Sequence, residues 1–127
     1  MPDLLSDILL AFAILTAKHT LADFFLQSPY QYMNKGVYGH PGGLIHAAIH
    51  AALTTLVYLA LTPPTLLLAL LIPAAEFIVH YHIDWAKERI GKLGRWTTED
   101  PEFWRALGVD QLAHNLTYVL IIAVLIP

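Results

Sequence analysis

TLLLALLIPAAEFIVHYHIDW, the run from Thr65 to Trp85, is hydrocarbon in its first half and ionisable in its second. No charge interrupts Thr65 to Ala75; then Glu76, His80 and Asp84 follow at a spacing of four. A bilayer core about 30 Å thick requires roughly 20 mainly apolar residues in an α-helix. The run meets that length, and a spacing of four stacks its polar groups along one helical face. It is too long for a barrel strand and lacks the strict alternation of one. Pro73, inside it, should free a backbone carbonyl and kink the helix.

Three further stretches have the same character: Leu4 to about Gln27, Gly43 to Leu61, and Phe103 to Ile126. The expectation is an all-α, four-helix transmembrane bundle of up-down topology, one integral membrane domain over residues 1–127 with spans near 4–27, 43–61, 65–85 and 103–126. Composition agrees: 57% of residues are hydrophobic and 13% charged, against roughly 25% charged in soluble domains. The formal charge of −3 argues against nucleic acid as a partner. The absence of cysteine removes disulfides, thiolate metal sites and cysteine nucleophiles. The first stretch lacks a basic amino-terminal region, and Lys18, His19 and Asp23 interrupt it, so it reads as a retained helix and not a signal core.

Ser28-Pro29 should end the first helix, and Asn34 to Gly43 forms a glycine-rich loop. Pro63-Pro64 allows only a short turn, which makes the second and third helices antiparallel neighbours. Asp100 and Pro101 suit the cap and first position of the fourth helix. Residues 86–96 read as a short amphipathic loop segment, basic, with Trp85, Ile90, Leu93 and Trp96 suited to an interface. Lys35 in the first loop, and Lys87, Arg89, Lys92 and Arg95 in the third, put those loops on the cytoplasmic side and both termini outside. Lys35, Lys92 and Arg95 serve as topology signals in this reading. Trp85, Trp96 and Trp104 serve as interface anchors, and His40 and His82 play ordinary hydrogen-bonding or exposed roles.

Every span carries ionisable residues four apart. The first has His19 and Asp23, with Gln27 beyond; the second His46 and His50; the third Glu76, His80 and Asp84; the fourth Asp110 and His114. Alternating helix directions bring all four sets to one end of the bundle, within roughly 15 Å of the boundary at 1.5 Å per residue. His19, His50, Glu76 and His114 form a deeper layer, and Asp23, His46, His80 and Asp110 a shallower one. A lone acid at mid-membrane costs about 2.5–3.5 kcal/mol, so these groups should face one another. Imidazole and carboxylate together suit divalent transition metals, zinc first among them. His19, Asp23, His46, His50, Glu76, His80, Asp110 and His114 are the candidate ligands, an excess that permits two ions. Lys18 lies off the His19–Asp23 face and is free to snorkel or to pair with an acid.

The string Lys18-His19-Thr20-Leu21-Ala22-Asp23-Phe24-Phe25-Leu26-Gln27 is distinctive. With His46 and His50, Glu76, His80, Asp84 and Lys87, and Asp110-Gln111-x-x-His114, it resembles a family of small bacterial and phage membrane proteins known as domain of unknown function 3307. The likeness spans nearly the whole chain and implies a multi-pass protein of the bacterial inner membrane. Less specifically, histidine and aspartate motifs on short membrane helices are similar to those of membrane-bound metal-dependent hydrolases.

Three functions compete. A metal-dependent hydrolase of a lipid or polyprenyl headgroup would use Glu76 or Asp84 as general base and Lys87 to hold a phosphate. A proton or metal-ion transporter would need a polar path to the outer face. Beyond the cluster the sequence supplies only Thr54, Thr55, Tyr58, Asn115, Thr117 and Tyr118 for one. A non-catalytic component would use the metal as a staple. Membrane lipids are the expected partners in each case; one four-helix monomer is small for alternating access, and a homo-oligomer could serve.

Overall fold

The computed structural model describes residues 3–126; Met1, Pro2 and Pro127 lie outside the described residues. Among these the regular elements are α1 (Leu4–Phe24), α2 (Pro29–Tyr32), α3 (Pro41–Thr54), a 3₁₀ continuation over Thr55–Leu59, α4 (Leu66–Gly94) and α5 (Pro101–Leu125). α1, α3 with its 3₁₀ turn, α4 and α5 are long and apolar enough to cross a membrane. α1 packs against α3 and α5, and α4 packs against α3 and α5. The order around the bundle is therefore α1–α3–α4–α5, with α1 and α4 on the diagonal.

The helix ends follow from local chemistry. Asp3 accepts a hydrogen bond from the Leu5 N–H, and Thr65 accepts one from that of Leu68. His40 precedes Pro41 and takes the Gly42 N–H on Nδ1 at 3.0 Å. Asp100 occupies the N-cap position of α5, but its side chain turns back and accepts from the Thr97 N–H and hydroxyl at 2.7 and 3.1 Å.

Residues 86–94, expected as a separate loop segment, continue the third span without a break. Nothing between Trp85 and Gly91 disfavours helix. At 1.5 Å per residue α4 is about 43 Å long, well beyond the hydrocarbon thickness. Its charged turns from Lys87 to Lys92 take up the excess. Arg95 ends it in the left-handed conformation, with φ 54°.

Pro73 does not interrupt α4 either. Its ring removes the bond that the Ala69 carbonyl would otherwise accept. The Tyr58 hydroxyl crosses from the 3₁₀ turn and donates to that carbonyl at 2.8 Å. Tyr58→Phe should therefore lower stability by about 1 kcal/mol. The same change in a Pro73→Ala background, where the helix satisfies its own carbonyl, should cost little. Equal losses in the two backgrounds, measured by thermal unfolding in detergent, would refute the assignment.

The interior has two storeys. At one end Ala11, Leu15, Val57, Leu61, Ile72, Tyr118, Ile121, Ile122 and Leu125 form an apolar cluster. At the other the buried residues are mostly polar, while large apolar side chains such as Leu21, Ile78, Val109 and Leu112 face outward. An outside greasier than half of the inside is the pattern that lipid, and not water, accommodates.

Candidate metal centre

The polar storey is built by repeats of four on facing helices. α1 contributes His19 and Asp23, α3 His46 and His50, α4 His80 and Asp84, and α5 Asp110 and His114. Seven of these residues are buried, and the Asp23 side chain is 18% exposed. The five imidazoles are in mutual contact: the rings of His50 and His80 stack at 3.7 Å, those of His80 and His114 lie at 4.3 Å, and those of His19 and His114 at 5.0 Å.

Two aspartates tie the helices together. Asp23 Oδ1 faces His46 Nε2 at 3.1 Å and His50 Nε2 at 2.9 Å, while its Oδ2 faces His19 Nε2 at 3.1 Å. Asp84 Oδ2 faces His46 Nε2 at 3.3 Å and His80 Nε2 at 3.4 Å, and its Oδ1 faces His114 Nε2 at 3.1 Å. Asp110 Oδ1 stands 3.6 Å from His114 Nε2. Each of Asp23 and Asp84 thus presents its two oxygens to different imidazoles, as a bridging carboxylate does.

Several of these atoms meet without hydrogen-bond alignment. Both ring nitrogens of His46 and of His80, His19 Nε2 and Asp110 Oδ1 are buried with no hydrogen-bond partner among the described residues. Orphaned polar atoms at this density are costly unless something joins them. Donor atoms held about 2.0–2.1 Å from a tetrahedral metal lie about 3.3 Å from one another, and the imidazole–carboxylate distances here run from 2.9 to 3.6 Å. Three overlapping groups could each hold an ion: Asp23, His46, His50 and His80; His19, His80 and His114; and Asp84, Asp110 and His114. The donor set therefore fits a transition metal, and shared His80 and His114 place the groups side by side.

Surrounding residues orient the donors. The His19 Nδ1 pairs with the Tyr118 hydroxyl at 2.7 Å, which leaves Nε2 facing Asp23. Lys35, read from sequence as a topology signal, is buried instead and brings its ammonium to 2.9 Å from Asp84 Oδ2. Lys18 does not snorkel. It is buried and ion-paired to Glu76, with a further bond to the His50 carbonyl at 3.2 Å. The Thr54 hydroxyl donates to the other Glu76 oxygen. Glu76, expected among the ligands or as a base, thus stands outside all three groups, with both oxygens engaged one turn deeper. Lys87, expected at a phosphate, pairs with Glu88 at 2.8 Å. His82 bonds the Ile78 carbonyl and the Tyr38 hydroxyl away from the centre.

Thr54 and Tyr118 had a signal in the sequence: each extends a spacing-of-four series, 46–50–54 and 110–114–118. Lys35 had none, because its position depends on how the first loop folds back.

A model described as a protein of unknown function, DUF3307, matches residues 10–127. The chain belongs to the DUF3307 family. No curated protein and no solved structure matches it. In this DUF3307 chain the matched span takes in α1 from Leu10 onward, the other three long helices whole, and every residue of the three groups.

Proposed function

We propose that the protein is an integral membrane enzyme that holds two divalent transition-metal ions, zinc first among the candidates, and hydrolyses a lipid or polyprenyl headgroup ester. The observation that supports this best is the set of orphaned imidazole and carboxylate atoms drawn from all four long helices into overlapping groups. Bound there, divalent ions would supply Lewis acidity and a lowered pKa for attacking water. Asp23, His46 and His50 would hold one ion, and His114 with Asp84 the other, with His80 between them.

The reaction adds water across the ester. A bond forms from the water oxygen to the headgroup centre, and the bond to the leaving alcohol breaks. One water proton passes to a carboxylate and from there to the alcohol. Asp110 suits that proton role better than Glu76. Its Oδ1 is buried and unpartnered, while its Oδ2 accepts from Gln111 at 3.0 Å. Transport is the weaker reading because the apolar cluster of Leu15, Val57, Leu61, Ile72 and Leu125 closes the other end of the bundle. On the lysine and arginine bias the centre would face the cytoplasm with both termini outside, in the bacterial inner membrane that the family resemblance implies.

The test is turnover in nanodiscs made from bacterial lipid extract. Metal-loaded protein should release headgroup or phosphate, chelated protein should not, and Asp110→Asn should fall by about 10² to 10⁴. Equal release by loaded and chelated protein would refute a metal-dependent reaction.

A further inference from the structure

Beyond the metal groups, two cavities share a wall at the seam between the end of α4 and the start of α5. One, of about 340 Å³, is lined by Lys87, Lys92 and Arg95 against a single carboxylate, Glu88. The other, of about 490 Å³, is apolar along Ile83, Ile90, Val109 and Ala113 and reaches Asp110. Lys87, Trp96 and Ala106 line both, so the two form one trough. Trp96 is seated there because Gly94 has no Cβ; one would lie 2.4 Å from the indole. From Arg95 to Ile83 the trough runs about 18 Å down α4, at 1.5 Å per residue.

The two parts differ in charge as a headgroup differs from its chain. Lys87 is held by Glu88 and Arg105 by Glu102, at 2.8 and 3.5 Å. Lys92 and Arg95 are exposed and have no acidic partner within ion-pair distance among the described residues. At the opposite end of the trough the buried, unpartnered Asp110 Oδ1 belongs to the metal groups. We infer that this trough binds an anionic phospholipid of the surrounding membrane, its chain along Ile83, Ile90, Val109 and Ala113 and its phosphate against Lys92 and Arg95. With its phosphate at the end of the trough away from Asp110, this lipid is a bound neighbour and not the molecule whose headgroup ester is cleaved, so the inference goes beyond the hydrolytic reading and does not depend on it. Free phosphate would have no use for the apolar arm.

Trp96 reports on the trough directly. In full-length protein carrying Trp85→Phe and Trp104→Phe, phosphatidic acid with brominated chains should quench Trp96 at roughly tenfold lower concentration than brominated phosphatidylcholine. Lys92→Gln with Arg95→Gln should remove that preference, and both substitutions are exposed, so the fold is spared. Ala113→Phe, which fills the apolar arm, should weaken quenching by both lipids. Millimolar inorganic phosphate should displace neither. Equal quenching by the two lipids, a preference that survives K92Q/R95Q, or displacement by inorganic phosphate would each overturn the proposal. The assay is run on chelated protein, which separates the two readings. Binding without turnover refutes only the enzyme, and turnover without this binding refutes only the trough.

Discussion

Purified in detergent without chelator, the protein is expected to carry about two divalent transition-metal ions per chain, and replacing His50 and His114 together by alanine should empty it. The pair is chosen because it reaches every group: His50 belongs to the Asp23–His46–His50–His80 set, and His114 to both of the others. Either substitution alone should remove roughly one ion: without His50 the first group keeps only Asp23, His46 and a His80 it shares with the second, and without His114 each of the other groups is left with two donors, too few for zinc. Elemental analysis of the purified protein reads this directly. His50→Gln with His114→Gln keeps most of the side-chain volume and guards against a mere packing failure. A double variant that folds and retains the full metal content would show that the ions, if any, sit elsewhere. Metal that binds only the folded chain also adds stability by mass action, so chelation should lower the unfolding midpoint of wild type and leave the double variant unmoved.

The helices and the shared depth of their polar faces were readable because apolar spans leave so few ionisable residues. Most of these fell four from the next, and 3.6 residues per turn then fixes a common face. What escaped the reading were partners set by three-dimensional neighbours. Lys18 sits about 100° round α1 from His19. In a ring where α1 touches both α3 and α5, directions that far apart both point inward, which decides between the two roles open to Lys18 in favour of pairing with an acid. Glu76 shares the face of His80 and Asp84 but lies a turn deeper, level with Lys18 and Thr54. Periodicity assigns a face, while the partner depends on the depth of the neighbouring helices. Lys35 enters from a loop, where no period applies, and its burial against Asp84 follows from the path of residues 33–40.

Lys18→Met alone should destabilise the protein by about 3–5 kcal/mol, the usual result of leaving one member of a buried ion pair without its partner. The environment gives little relief. Glu76 is 2% exposed and Lys18 3%, and the only other donor on the carboxylate among the described residues is the Thr54 hydroxyl. The Lys18 ammonium also lies 4.8 Å from the centre of the Tyr118 ring and donates to the His50 carbonyl, so Glu76→Leu alone should be comparably harmful. Removing both charges is a different matter, because hydrophobic residues of similar volume often replace a buried pair at no net cost. Lys18→Met with Glu76→Leu should therefore recover most of the loss, since Thr54 can turn its hydroxyl to the carbonyl a turn back. Thermal unfolding of the two single variants and the double variant in one detergent measures the coupling. Metal content measured alongside decides what the pair is for. If Lys18 and Glu76 only brace α1 against α4, as their place outside all three groups implies, the double variant keeps its metal. A stable double variant stripped of metal would instead put Glu76 back among the ligands.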